Sequence, residues 1–193
     1  MLTETLKQEE GFLERADPTH LPKNWWELSC ALWRYEYAAA QPELQEGAVV
    51  DCACGLGYGT EILHNAGCKV TGLDCSEIAV RTAQLRYPHL TFNLCDLNKE
   101  VFVNADSLVT LETLEHLDSP LNTLQQLPHR VKNLIASVPA VPTTQYNPFH
   151  KHDFSIESFR KLIEDGGFKI VEVYMQSAPT RLNVYMVIKG VRA

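Results

Sequence analysis

The sequence lacks a hydrophobic run long enough to cross a membrane, a cluster of basic residues and a Cys-x-x-Cys motif. A membrane-spanning helix needs about 18 or more consecutive apolar residues, so we expect no membrane segment. The 17 Lys and Arg residues are scattered and the net charge is −7, whereas proteins that bind a phosphate backbone usually present a basic face. A basic face could still assemble from residues distant in sequence, but the pattern argues against a nucleic-acid substrate.

Two further absences concern location and metal ions. The first ten residues are acidic and lack the apolar centre of a secretory signal peptide, so we expect a cytoplasmic protein. Cys52 and Cys54 are separated by one residue, and no second cysteine or histidine pair follows at the spacing of a zinc site. We therefore predict no metal site. We interpret the six cysteines as small, reduced, buried thiols: Cys30, Cys52, Cys54, Cys68, Cys75 and Cys95.

The chain of 193 residues is long enough for one α/β domain with a sizeable core. We predict a single domain over residues 1–193, with an amino-terminal arm over 1–23, a covering helix over 24–40 and a core over 47–189. Asn24 is the expected cap of the covering helix. Beyond it the pattern alternates between strands and helices, which predicts a Rossmann-like three-layer sandwich with a mostly parallel sheet.

Seven strands and four further helices are predicted in the core. The strands are Gly47–Ala53, Cys68–Asp74, Leu90–Cys95, Asp106–Leu111, Val131–Val138, Phe168–Tyr174 and Asn183–Lys189. The helices are Tyr58–Asn65, a helix capped by Ser76 that ends at Arg86, a short helix near Ser119–Gln126, and a helix capped by Ser155 that ends near Asp165. Ser158 stands where a capping box has an acid, so we expect an incomplete box. Eight residues separate the last two strands, too few for a helical crossover, so we predict an antiparallel hairpin.

A glycine-rich loop follows the first predicted strand. The strand ends in Asp51, and the loop over 55–59 has the pattern Gly-x-Gly-x-Gly, with Thr60 where a dinucleotide-binding loop has its third glycine. A glycine pattern by itself is weak evidence for a particular cofactor. A carboxylate at the strand end suits a cofactor with a cationic amino-acid group. It would repel a pyrophosphate, which binds bare N–H groups at a helix N-terminus.

The next two strands also end in aspartate. Asp74 lies nineteen residues after Gly55, where a carboxylate can accept hydrogen bonds from ribose hydroxyls. Asp96 ends the third strand, where a side-chain acceptor can reach an adenine amino group. Each aspartate alone could serve as a turn or helix cap, but three at one edge of a sheet indicate a nucleoside-containing cofactor.

With these motifs the chain resembles the class I S-adenosylmethionine-dependent methyltransferases over about residues 27–175. Its small-molecule and sugar methyltransferase subgroup provides the nearest likeness. The segments that carry the resemblance are Val49–Gly59, Val70–Ser76, Leu94–Leu97, Leu108–Leu117, Trp33–Ala38, Ser137–Pro139 and Asn147–His150. Ala53 departs from the family pattern, which more commonly has a glycine there. The Asp/Asn-Pro-Pro-Tyr/Phe motif of enzymes that methylate DNA-base amines is missing after the fourth strand, where Leu111–Leu114 stands.

The resemblance implies roles for individual residues around S-adenosylmethionine. Asp51 would orient its amino group, Asp74 would hold the ribose, and Asp96 with the Leu97 amide would hold the adenine. Arg34 would reach the cofactor carboxylate. The full predicted cofactor set is Arg34, Asp51, Ala53, Cys54, Gly55, Gly57, Tyr58, Asp74, Cys75, Asp96, Leu97 and Leu111.

Residues that activate the methyl acceptor should lie on the loops after the fourth and fifth strands. A hydroxyl acceptor needs a base, and a histidine has a suitable pKa near ~6.5. We predict His150 as this base, with Glu112 or His116 as its partner.

Acceptor binding is predicted for Trp26, Tyr146 and His152, since aromatic side chains offer surfaces on which sugars stack. As an alternative to base catalysis, His150, His152 and Asp153 could bind a divalent metal together with Glu112.

The sequence therefore predicts an S-adenosylmethionine-dependent methyltransferase that methylates a small molecule, at an oxygen of a sugar or related metabolite. Two alternatives stay open: a methyltransferase that acts on RNA or protein, and a protein that binds S-adenosylmethionine or S-adenosylhomocysteine without turnover. A basic surface around the pocket would favour the first alternative, and a closed acceptor pocket would favour the second.

Overall fold

A computed structural model describes residues 17, 25–99, 104–178 and 181–193, without the side chains of Trp25 and of residues 181–183. Apart from Asp17, the predicted arm over 1–23 lies outside the described residues, as does the predicted cap Asn24. Among the residues described, no helix has the length and apolar character that crossing a membrane requires.

The described elements alternate between helix and strand as predicted. The helices are α1 (Trp25–Ala39), α2 (Tyr58–Asn65), α3 (Glu77–Arg86), α4 (Pro120–Gln125) and α5 (Ile156–Asp165). The strands are β1 (Ala48–Cys52), β2 (Lys69–Asp74), β3 (Thr91–Leu94), β4 (Ser107–Leu111), β5 (Asn133–Pro139), β6 (Phe168–Ala178) and β7 (Arg181–Arg192). Single turns of 3-10 helix at Pro42–Leu44 and Leu114–His116 were not predicted.

All seven strands form one sheet in the order β3-β2-β1-β4-β5-β7-β6. The pairs among β1 to β5 are parallel, while β7 is antiparallel to both β5 and β6. The predicted fold class and the antiparallel hairpin are confirmed. β6 and β7 are longer than predicted, because their pairing continues to Ala178 opposite Arg181.

Helices cover both faces of the sheet, and alternate residues of the central strands point to opposite faces. In β4 and β5, Leu108 and Leu134 belong to the core cluster under α4 and α5, whereas Val109 and Ile135 belong to the cluster under α1 and α2. This alternation is the period-2 pattern of a strand buried on both faces. It produces the three layers that the sequence predicts.

The start of α5 differs from the prediction. The hydroxyl of Ser158 accepts a hydrogen bond from the Ser155 backbone N–H at 2.9 Å, and the Ser155 hydroxyl accepts one from the Ser158 N–H at 3.2 Å. The capping box is therefore complete. A serine at the third position reaches back as an acid would, because its hydroxyl oxygen is also an acceptor.

The interpretation of the cysteines as buried thiols holds for four of the six. All six are free, but Cys95 is only partly buried and Cys75 is exposed. It directly follows the last residue of β2, where the chain leaves the sheet and enters the wall of a cavity.

Candidate active site

A cavity of 1010 Å³ opens at the carboxyl ends of the parallel strands. The residues that follow β1 to β4 contribute Ala53, Asp74, Asp96 and Glu112 to its wall. The chain turns in opposite directions from β1 and from β4, which are neighbours in the sheet. Such a switch point is where open α/β sheets bind ligands. The volume lies at the upper end of the usual range for ligand sites, roughly 300–1,000 Å³.

Only part of the glycine loop lines this cavity. Ala53 and Gly55 line the cavity, and both have left-handed backbone angles, with φ of 59° and 55°. A left-handed conformation is unfavourable for alanine, which explains why a glycine suits position 53 better. Cys54 and Tyr58 also line the cavity, as predicted.

Gly57 does not line the cavity, in contrast to its predicted cofactor contact. A Cβ built at Gly57 would lie 2.9 Å from both Ala83 and Phe92, and one built at Gly59 would lie 2.0 Å from the ring of Tyr35. These glycines let α2 pack against its neighbours. The last part of the glycine pattern therefore serves packing of the fold.

Asp51 is fully buried and is not part of the cavity wall. Its carboxylate accepts hydrogen bonds from the Tyr35 hydroxyl at 3.1 Å and from the Thr60 hydroxyl at 2.7 Å. Burial raises the pKa of Asp51 to about 7, although both hydroxyls oppose this shift. Asp51 was expected to orient the cofactor amino group directly or through water. Because its carboxylate is fully buried outside the cavity wall, this role stays a prediction.

Asp74 lies at the base of the cavity and is almost fully buried. Its two carboxylate oxygens accept hydrogen bonds from the Gly55 and Ser76 backbone N–H groups, each at 2.9 Å. It thereby joins the glycine loop to the start of α3. A carboxylate oxygen can accept more than one hydrogen bond, so this structural role is compatible with ligand binding.

Asp96 and Leu97 form the adjoining part of the wall, with Cys75 and Leu111 nearby among the lining residues. The Asp96 carboxylate accepts a hydrogen bond from the Asn98 N–H at 3.0 Å and pairs with Lys99 at 3.0 Å. The hydrogen bond from Lys99 keeps the pKa of Asp96 below its usual value. This part of the wall therefore carries a negative charge.

Arg34 projects from α1 into the cavity wall and is only 4% exposed. Its guanidinium donates to the Gln176 side-chain oxygen at 2.8 Å and stacks 4.0 Å from the Tyr185 ring centre. Gln176 in turn donates to the Cys30 carbonyl at 3.1 Å, which ties β6 to α1. Packing, hydrogen bonding and stacking thus hold a positive charge in the cavity wall.

Glu112, the first residue after β4, has a left-handed φ of 52°. The hydroxyl of Ser137 donates to its carboxylate at 2.7 Å, and the Arg34 Nε lies 4.0 Å from the same oxygen. Burial raises the pKa of Glu112, and the Arg34 charge opposes that shift. A strained residue in a cavity wall often has a functional role, because the surrounding structure must hold it there.

His116 and His150 meet in the cavity wall, which Glu112 also lines. Their ring centres are 4.5 Å apart and the rings are nearly perpendicular. The Nδ1 atom of His150 lies 2.6 Å from the Thr143 hydroxyl. Burial lowers the pKa of His150, although the charge of Asp153 opposes this shift. The imidazole is therefore neutral at neutral pH.

The structure does not bring together the alternative metal ligands His150, His152 and Asp153. The His152 Nε2 lies 2.8 Å from the Leu117 carbonyl, and Asp153 accepts from the Thr143 N–H at 2.7 Å. Asp153 and His152 therefore anchor the loop after β5. His152 is absent from the cavity lining, in contrast to its predicted substrate contact, whereas Tyr146 and Trp26 are in that lining.

The sequence analysis missed several residues that line the cavity, among them Glu115, Thr143 and Tyr185. Glu115 stands three residues after Glu112, a spacing that places both on one face of a helical turn and could have drawn attention to it. Thr143 and Tyr185 carry no comparable sequence signal, because their places depend on the loop after β5 and on the pairing of β7.

Residues 49–133 match the family model described as a methyltransferase domain. A protein of Mycolicibacterium smegmatis named "Probable S-adenosylmethionine-dependent methyltransferase" is 26% identical over 133 residues, which cover 63% of this chain and 52% of that protein. The ubiquinone biosynthesis O-methyltransferase of Nitrosomonas europaea is 33% identical over 101 residues, which cover 47% of this chain and 41% of that protein. The chain thus spans about half the length of the curated relatives that it matches.

The fold also matches solved structures. Magnesium protoporphyrin IX methyltransferase from Synechocystis PCC 6803 with bound SAH superposes with a TM-score of 0.71 at 22% identity, over 98% of this chain and 92% of that chain. This likeness concerns the fold. The family match and the curated relatives, independently of this fold likeness, support S-adenosylmethionine as the cofactor.

Proposed function

We propose that this class I S-adenosylmethionine-dependent methyltransferase domain transfers a methyl group to an oxygen of a small-molecule acceptor, a sugar or related metabolite. The observation that carries the proposal is that one cavity is lined by two groups of side chains. The first group contains the carboxylates of Asp74 and Asp96, and the second contains Glu112, His116 and His150.

The first group of side chains fits S-adenosylmethionine. Asp74 and Asp96 provide acceptors for hydroxyl and amino groups, and Ala53 and Gly55 bring backbone to the cavity surface without a large side chain. Arg34 provides a buried positive charge for a carboxylate. When bound, S-adenosylmethionine supplies a methyl group on a sulfonium sulfur, which keeps the bonding electron pair when the methyl group leaves.

The second group of side chains suits an acceptor hydroxyl. Methyl transfer needs alignment of the acceptor, exclusion of water and an acceptor oxygen that can lose its proton. The Thr143 hydroxyl lies 3.5 Å from the Asp153 carboxylate, to which it donates, and 2.6 Å from Nδ1 of His150. With Nδ1–H donating to that hydroxyl, the lone pair of Nε2 is available to activate an acceptor hydroxyl. Tyr146 is a largely exposed aromatic side chain in the same wall, on which a sugar ring can stack.

Calorimetry tests whether the protein binds S-adenosylmethionine as proposed. We expect S-adenosylmethionine to bind the protein, Asp96→Ala to weaken binding by about tenfold through loss of about one charge-assisted hydrogen bond, and the exposed control Asp118→Ala to bind normally. Asp74→Ala should abolish binding, with its folding checked by circular dichroism. If the wild-type protein shows no binding, the assignment fails.

Detection of S-adenosylhomocysteine tests the proposed methyl transfer to a small-molecule hydroxyl. The protein, supplied with S-adenosylmethionine and a panel of hydroxylated sugars and small phenols, should release S-adenosylhomocysteine with at least one acceptor, and mass spectrometry should locate the methyl group on oxygen. Methylation of RNA or protein alone, or tight cofactor binding without turnover on any substrate, would contradict the proposed acceptor class.

A further inference from the structure

Glu115, His116 and His150 form a compact group in the cavity wall. Each offers one ligand atom, and these three atoms lie within 4.8 Å of one another. The carboxylate of Glu115 is fully buried, and the two histidines are partly exposed to the cavity. We propose that Glu115, His116 and His150 bind a divalent cation beside the methyl acceptor.

The donor set matches that of a metal site with open coordination positions. Two imidazoles and one carboxylate bind zinc in several hydrolases and iron in oxygenases, with the remaining positions left for water or substrate. Imidazole nitrogen suits iron, nickel, copper and zinc, whereas magnesium and calcium prefer all-oxygen sites. Bond lengths of about 2.0–2.2 Å require only small movements of these side chains.

Two segments are held together so that the three ligands converge. His116 and Glu115 lie on the 3-10 turn Leu114–His116, and the Glu115 carbonyl accepts hydrogen bonds from Lys151 N–H at 2.7 Å and His152 N–H at 3.2 Å. The loop that carries His150 is thereby fixed against the turn that carries the other two ligands. Such rigid support is what a metal site requires of its surroundings.

The orientation of His150 also suits a ligand. Its Nδ1 contacts the Thr143 hydroxyl at 2.6 Å, which leaves Nε2 for the cation. Metal-binding histidines usually make such a hydrogen bond through the other ring nitrogen, which fixes the tautomer and the ring orientation.

This inference rests on the proposed function for the position of the acceptor, and it changes how the acceptor hydroxyl is activated. A divalent cation lowers the pKa of an oxygen that it contacts. Because the Nε2 lone pair is then shared with the cation, the hydroxyl proton leaves to water, and the oxygen uses its freed electron pair to form the new bond to carbon. A base role and a ligand role of His150 are mutually exclusive at that nitrogen.

Manganese is a suitable probe because it binds thiols weakly, so the free cysteines interfere little. The full chain is freed of metal with EDTA, exchanged into buffer and titrated with Mn²⁺, and free Mn²⁺ is measured by electron paramagnetic resonance. We expect one Mn²⁺ per chain, and at least tenfold weaker binding in His150→Ala and in Glu115→Gln. The matched control is His89→Ala, which removes the histidine of the surface pair His89–Glu61.

Calorimetry with S-adenosylmethionine on the same variants separates this inference from the proposed function. His150→Ala should bind the cofactor as the wild type does, which also shows that this variant is folded. Equal Mn²⁺ affinity in the wild type, His150→Ala and His89→Ala, or no binding in the wild type, would overturn the metal site while leaving the cofactor assignment intact. Failure of the wild type to bind S-adenosylmethionine would instead contradict the proposed function.

Discussion

The ring of Tyr35 occupies the space in which a side chain at residue 59 would stand, since a Cβ built on Gly59 lies 2.0 Å from the Tyr35 Cζ. Tyr35 comes from α1 and Gly59 from α2, so the two helices touch at this point. The same tyrosine donates a hydrogen bond to Asp51. A change at Gly59 therefore acts on the packing of α1 and on the buried carboxylate together.

We expect Gly59→Ala to lower the free energy of unfolding by about 2 kcal/mol or more, because overpacking at a rigid contact displaces the ring. The control Asn65→Ala, at an exposed position on the same helix, should change it by less than about 0.5 kcal/mol. Urea denaturation measures both. Equal stability of the two variants would show that the Tyr35 ring moves aside without cost.

Asp51 should make stability depend on pH. Its folded pKa of about 7 exceeds the unfolded value of about 3.9, so between these values the native state binds more protons than the unfolded state. The free energy of unfolding should therefore fall as pH rises through this window, by at most about 1.4 kcal/mol per pH unit from this group.

Asp51→Asn removes that titration and should flatten the pH dependence between pH 5 and pH 7, roughly the window set by those pKa values. The control Glu46→Gln, at an exposed position, should retain the wild-type slope. Urea denaturation at several pH values compares the three proteins. An unchanged slope in Asp51→Asn would mean that the Tyr35 and Thr60 hydroxyls stabilise the ionised form fully.

Thr143 should affect turnover through His150. Thr143→Val removes the hydroxyl that contacts Nδ1 at 2.6 Å, so the tautomer and ring orientation are no longer fixed. We expect kcat to fall about tenfold or more, with the affinity for S-adenosylmethionine unchanged. Steady-state kinetics and calorimetry provide the two values.

Thr144→Val is the matched control for that change. The Thr144 hydroxyl also contacts Asp153, at 2.6 Å, but it does not contact His150. If both variants lose the same activity, anchoring of the loop explains the effect and the contact with His150 does not.

Arg34 and Glu112 should be energetically coupled. The Nε to Oε1 distance is 4.0 Å in a buried environment, and the Arg34 charge opposes the rise in the pKa of Glu112. In a double-mutant cycle of Arg34→Met and Glu112→Gln, we expect a coupling of about 1 kcal/mol or more in the free energy of unfolding. Additivity of the two changes would instead show that solvent or the Ser137 hydroxyl compensates Glu112 by itself.

The fold could be predicted because hydrophobic alternation and caps are local features. The bounds of α2 and α5 and the antiparallel pairing of β6 and β7 follow from residues close together in sequence. The prediction of an incomplete capping box at the start of α5 was wrong. The sequence rule names an acid at the third position, whereas the physical requirement is only an acceptor oxygen that reaches back to the cap N–H.

The site could be predicted only in part, because a sequence motif does not say which way each residue faces. The glycine pattern was interpreted as a cofactor surface, yet Gly57 faces Phe92 from β3 and Gly59 faces Tyr35 from α1. Asp51 belongs to β1 itself and is fully buried, in contact with Tyr35 of α1 and Thr60 of α2. Both outcomes depend on distant neighbours that no local pattern specifies.

The hydrogen bond between Arg34 and Gln176 joins residues 142 positions apart. Because one partner lies on α1 and the other on β6, a growing chain on the ribosome cannot form this contact until Gln176 has been made. Contacts of such high sequence separation form late and slow the folding reaction. Nascent chains that already contain Asp74 and Asp96 would thus lack the partner that holds Arg34 in place, so the order of synthesis determines which cavity residues are fixed first.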